Sequence, residues 1–71
     1  MEFYEILRIR RKEKQITQED LSYILSVSRQ TIYKWENNIS VPNLKNFIKL
    51  IDVLEICIVV RKGKVKYKNI S

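Results

Sequence analysis

The chain has 71 residues, 45% hydrophobic and 31% charged, with a formal net charge of +6. That suits one globular domain with a modest core and argues against a disordered segment. One cysteine, Cys57, and no histidine exclude an internal disulfide and the usual zinc sites, so no metal or cofactor is expected.

Residues 2–14 read as a first helix, with Phe3, Ile6 and Leu7 at helical spacing and a polar face of Glu, Arg and Lys. Arg10 falls on the apolar line. Either Ile9 replaces it by a small rotation, or Arg10 lays its stem along the core. Thr17 opens a second helix in a T-x-x-D capping box with Asp20. Its apolar stripe is expected to be Leu21, Ile24 and Leu25. Ser28 is a fresh N-cap, and a third helix is predicted over Arg29–Glu36. Asn37, Asn38 and Ser40 form a loop closed by Pro42. Asn43 then caps a fourth helix, expected to send Leu44, Phe47, Ile48, Ile51 and Leu54 to the core. After Leu54 the period changes to that of a strand, Ile56–Val60. Lys62-Gly63 is a two-residue turn that sets Val60 against Val65, Ile58 against Tyr67, Val59 against Lys66 and Cys57 against Lys68.

The charge is uneven. Five of the 14 bases are Arg61, Lys62, Lys64, Lys66 and Lys68, so nine bases meet all eight acids within residues 1–60. Net charge alone therefore says little about the helical part. The longest aliphatic run, 56–60, is far short of a membrane span. Residues 1–7 mix apolar and acidic side chains, unlike a secretory leader. No membrane association is expected, and a soluble cytoplasmic protein is. The lone cysteine sits in an apolar run and no glycine-rich phosphate loop is present, so an enzyme is not expected.

The segment from Gln18 to Asn37 carries the functional signal. Two short helices joined by a tight turn let one brace across a DNA backbone while the next enters the major groove. Leu21, Leu25, Val27, Ile32 and Trp35 supply the apolar skeleton this needs, and the small Ser22 permits a close crossing. On the third helix Ile32 and Trp35 point inward. Arg29, Gln30, Tyr33, Lys34 and Asn37 fall opposite; every one can donate hydrogen bonds and none is acidic. Such a face suits the electronegative edges and phosphates of DNA, with Arg29 fitted to guanine and Gln30 to adenine. The bland alternatives are that Tyr33 packs on the protein surface and that Lys34 meets only phosphate.

The runs ITQEDL, VSRQTIYKWEN and VPNLKNFIKL agree in order and spacing with one family. Residues 6–54 resemble the Xre family of helix-turn-helix regulators, which includes the Cro and lambda-repressor domains. The resemblance implies a mainly α, four-helix lambda-repressor-like domain over residues 1–55, followed by a C-terminal β-hairpin extension over 56–71. It implies base contacts from Ser28, Arg29, Gln30, Tyr33 and Lys34, and phosphate contacts from Gln18, Thr31, Asn37, Asn38 and Asn43. It also implies an ion pair between Arg11 and Glu36, which offsets a carboxylate in the last turn of its helix. The implied protein is a bacterial or phage-encoded repressor that binds double-stranded DNA at a palindromic operator as a homodimer. The alternative is an antitoxin-type module that neutralises a protein partner and regulates its own promoter. Ser26 stands where the family usually has glycine, Asn38 where glycine is common, and Arg10 where leucine is usual. Many relatives continue into a fifth helix, which this chain replaces with the hairpin. Ile56, Ile58, Val60, Val65 and Tyr67 are expected to contribute to a dimer interface. The other readings are that the hairpin caps its own core, binds phosphates beside the operator, or docks a partner.

Overall fold

A computed structural model describes residues 1–69, without the side chains of the last two. Residues 70 and 71, part of the 56–71 extension expected above, lie outside the described residues. Four helices come first: α1 (Phe3–Glu13), α2 (Gln18–Leu25), α3 (Arg29–Glu36) and α4 (Leu44–Val53). Two antiparallel strands follow, β1 (Ile56–Arg61) and β2 (Lys64–Asn69). This is the expected mainly α domain with a terminal hairpin.

The helix starts lie where short-range hydrogen bonding places them. Thr17 Oγ1 accepts from the Asp20 N–H at 3.0 Å, and Asp20 Oδ2 accepts from the Thr17 N–H at 3.2 Å. Ser28 Oγ accepts from the Thr31 N–H at 3.1 Å and Asn43 Oδ1 from the Asn46 N–H at 2.8 Å. Each cap satisfies a backbone donor that has no partner within its helix.

The helix ends are less expected. Gln15, Ser26, Asn38 and Glu55, each one or two residues past the end of a helix, have φ of 57°, 57°, 57° and 54°. The chain's only glycine, Gly63, is in the hairpin turn. Left-handed backbone favours glycine, and only asparagine among these four tolerates it well. Ser26 is exposed, so Ser26→Gly relieves the backbone without opening the core. The expected gain is about 0.5–1 kcal/mol, read as a thermal midpoint several degrees higher. A lower midpoint would show that the turn does not resist serine.

The core joins Ile6 and Leu7 of α1, Leu21 and Leu25 of α2, Ile32 and Trp35 of α3, and Leu50 of α4, with Leu54 and Ile56. Two expected stripes need correction. Ile24 is 49% exposed, and the small Ser22 is buried in α2 instead. Its hydroxyl donates to the Glu19 carbonyl at 2.6 Å, so burial leaves it satisfied. In α4, Leu44 and Ile48 are 73% and 52% exposed, while Leu50 is fully buried. The apolar arc of this helix is broad; Leu50, Ile51 and Leu54 turn into the core, and the half-buried Phe47 packs on Phe3 with ring centroids 4.8 Å apart.

Arg10 resolves its alternatives by being buried, while Ile9 is exposed. Its Nε donates to the Leu54 carbonyl at 2.9 Å and its Nη1 to Glu13 at 3.0 Å. Glu55 lies 3.9 Å from Nη2 and 3.2 Å from Lys14 Nζ. A charged side chain thus satisfies a carbonyl at the end of α4 and ties α1 to the start of the hairpin.

The hairpin has the expected register, with Ile58 opposite Tyr67, Val60 opposite Val65, Val59 opposite Lys66 and Cys57 opposite Lys68. Positive φ at both Lys62 and Gly63 makes a type I′ turn, whose twist matches paired strands. The apolar face of the hairpin is divided. Ile56 is inside the helical core, and Tyr67 packs on Phe3 with ring centroids 5.4 Å apart. Val60 and Val65 remain 64% and 48% exposed. Burial first, and the Glu2 carboxylate second, push the Tyr67 phenol above its ordinary value of 10.0.

Candidate nucleic-acid interface

The interface is built on α3, held between α1 and α2. Ile32 and Trp35 lie in the core, which fixes the rotation of the helix about its axis. The opposite side then carries Arg29, Gln30, Tyr33 and Lys34, all exposed. Arg29, Gln30 and Tyr33 together line an open concavity of about 420 Å³. No acid stands on this side, because the one carboxylate of α3, Glu36, is turned inward and 1% exposed.

Glu36 is the hub beneath that surface. Its Oε2 accepts from Arg11 Nε at 2.5 Å, and its Oε1 accepts from Arg11 Nη2 at 3.0 Å. The expected Arg11–Glu36 pair is therefore a bidentate fork. Arg11 Nη1 also donates to the Ile16 carbonyl at 2.8 Å, in the turn between α1 and α2. Gln18, the first residue of α2, donates from Nε2 to Glu36 Oε1 at 3.2 Å. One buried carboxylate thus joins α1, α2 and α3. The family resemblance also implies that Gln18 braces the third helix, and this bond makes such a link, although nothing local in the chain relates positions 18 and 36. The bond uses one N–H of the Gln18 amide and leaves the other as the donor suited to a phosphate.

The remaining site residues surround this helix. Ser28 and Thr31 hydroxyls lie 2.8 Å apart at the start of α3. Asn37 Nδ2 donates to the Tyr33 carbonyl at 2.8 Å. Asn38 is exposed in its left-handed turn, and Asn43 is exposed at the cap of α4. The donor side chains at 29, 30, 33 and 34 are thus on one helix; of the groups expected at phosphates, Thr31 is in the first turn of that helix, while Gln18, Asn37, Asn38 and Asn43 lie at the start of α2, the end of α3 and the start of α4.

Among the described residues no helix is long and apolar enough to cross a membrane. The Helix-turn-helix family model matches residues 7–57. A protein of Aeropyrum pernix, named as a proposed HTH-type transcriptional regulatory protein, is 38% identical over 50 residues. The match covers 70% of this chain but 15% of that relative. That relative is archaeal and lends no support to a bacterial or phage origin. No solved structure matches. The matched span takes in the capped α2 and α3, the core that holds them and the start of the hairpin, and the chain belongs to the Cro/C1-type, Xre-like family of helix-turn-helix DNA-binding domains.

Proposed function

We propose that this chain is a sequence-specific transcriptional regulator that represses by binding a palindromic operator as a homodimer. The observation that carries the reading is the exposed, acid-free side of α3, braced from beneath by Glu36. Arg29 and Gln30 then read base edges, with Ser28, Tyr33 and Lys34 beside them. Gln18, Thr31, Asn37, Asn38 and Asn43 hold the backbone on either side. One such helix reads only a few base pairs. Two copies related by a two-fold axis read half-sites about 34–36 Å apart. A dimer seated there denies that stretch to other proteins, which is repression by occupancy.

Val60 and Val65 offer the surface for the second copy. They are the part of the hairpin's apolar face that its own helices leave exposed, and a two-stranded sheet has open edges suited to pairing. Ile56 and Tyr67 serve the interface indirectly, by seating the hairpin on the core. Ile58, half-buried on the same face, joins the two regions.

Binding to the region upstream of the chain's own coding sequence, measured against random duplex over a salt series, tests the reading. The specific affinity should exceed the non-specific one by about 10³-fold or more. Two half-sites one turn apart should fill cooperatively. Val60→Lys/Val65→Lys should bind the same sites without cooperativity and sediment as a monomer. An affinity ratio near one would remove the claim of specificity; a cooperative double variant would remove the hairpin from the dimer interface.

A further inference from the structure

We propose that the cationic face of the β-hairpin is a second DNA-contacting surface, which grips phosphates beside the half-site read by α3. The inference rests on the DNA-binding reading above and concerns a different part of the molecule. Arg61 stands directly opposite Lys64, and Lys66 opposite Val59, on the face away from Val60 and Val65. Together with Lys62 they line one open trough of about 490 Å³, with Val59 as its apolar member. Like charges set directly opposite each other destabilise a strand pair. A few charges along an edge are enough to deter unwanted pairing, so a row of one sign on one face asks for an anion.

The rest of the molecule sharpens this. No salt bridge to Arg61, Lys62, Lys64 or Lys66 is present among the described residues. Residues 1–60 carry nine bases and eight acids, and Arg10, Arg11 and Lys14 are engaged in ion pairs within the fold. The helical domain alone therefore brings little net charge to a duplex that carries one negative charge per ~1.7 Å. A six-residue strand is ~20 Å long and lies beside many of those charges. The longest dimension of the described chain is 35 Å, close to one helical turn of DNA at about 34–36 Å. The hairpin of a domain seated in one groove is thus within a turn of its own half-site. An acidic protein is the other polyanion to consider. A protein interface keeps an apolar centre, and this trough has only Val59.

The test is fluorescence anisotropy of the full chain on palindromic and random duplexes over a salt series. The variant is Arg61→Gln/Lys64→Gln/Lys66→Gln with Lys62→Gln. Each lost phosphate contact lowers the slope of log affinity against log salt by about 0.9. The expected reduction is about 2–4 per protomer, with the palindromic-to-random ratio unchanged. A charge-preserving variant, Lys64→Arg/Lys66→Arg, should keep the wild-type slope. The melting midpoint of the glutamine variant should hold or rise, since like-charge repulsion is removed, and this separates lost contacts from lost folding. If the wild type binds DNA and the glutamine variant keeps its slope, the hairpin assignment is wrong and the DNA-binding reading stands. If the wild type binds no duplex, both fall. Polyglutamate that displaces DNA from the wild type as well as random duplex does, but not from the glutamine variant, would assign the face to an acidic protein and overturn the proposal.

Discussion

Arg11→Ala is expected to cost about 3–5 kcal/mol of folding stability. For a domain of this size that is a large part of the whole, since native chains hold about 0.05–0.15 kcal/mol per residue. The magnitude comes from what is left behind. Glu36 is 1% exposed and takes two of its three side-chain hydrogen bonds from Arg11. Removing the guanidinium leaves a buried carboxylate with only the Gln18 amide, and strands the Ile16 carbonyl that Arg11 also serves. A second variant separates this penalty from the worth of the pair. Replacing both charges, Arg11→Met/Glu36→Leu, removes the uncompensated charge and should recover most of the loss. Urea unfolding followed by circular dichroism measures all three proteins. A loss below about 1 kcal/mol for Arg11→Ala would place the pair with exposed ion pairs, and the network would not hold α1, α2 and α3 together. The double variant has a further use. It should fold yet bind all duplexes more weakly, because Gln18 loses the partner that aims its amide.

What could be read from the chain alone follows the range of the interactions involved. The caps at Thr17, Ser28 and Asn43 act over three residues, so residue type at a fixed offset reveals them. The hairpin register follows from one Gly beside a β-branched run, because the turn and the alternation agree. The outer face of α3 follows from helical period once Ile32 and Trp35 are recognised as the inner one. The family resemblance supplied the Arg11–Glu36 pair, which spans 25 residues. Three features are announced by no residue type at a fixed offset. Leu50 rather than Leu44 or Ile48 enters the core, because α4 has more apolar surface than its neighbours can cover. Arg10 is buried because a carbonyl 44 residues away lies where its Nε can reach it. Gln15 and Glu55 adopt left-handed backbone with no glycine to announce it. Glu55 is drawn there by Arg10 and Lys14, whereas Gln15 is exposed and its N–H makes a local bond to the Lys12 carbonyl at the end of its helix.

The largest expected loss of function comes from Arg29→Ala/Gln30→Ala. Both side chains are exposed and share one concavity on the outer side of α3, so their removal leaves the core intact. Each bidentate base contact is worth about 1–3 kcal/mol of discrimination, so the pair should lower operator affinity by about 2–6 kcal/mol where the two effects add. At 1.4 kcal/mol per tenfold change in affinity, the operator-to-random ratio should fall by at least about 30-fold. The single variants distinguish the two roles. Gln30 is uncharged, so Gln30→Ala should lower the ratio while the salt slope stays that of the wild type. Arg29→Ala should lower the ratio and lower the slope by at most about 0.9. Neutralising the hairpin cations should do the reverse of Gln30→Ala, changing the slope and sparing the ratio. An unchanged ratio in the double variant would mean that α3 does not read bases, and specificity would have to lie elsewhere on the chain. If the ratio falls while the slope holds for Gln30→Ala, reading and gripping are separate tasks. The helix braced by Glu36 then performs the first, and the surfaces around it the second.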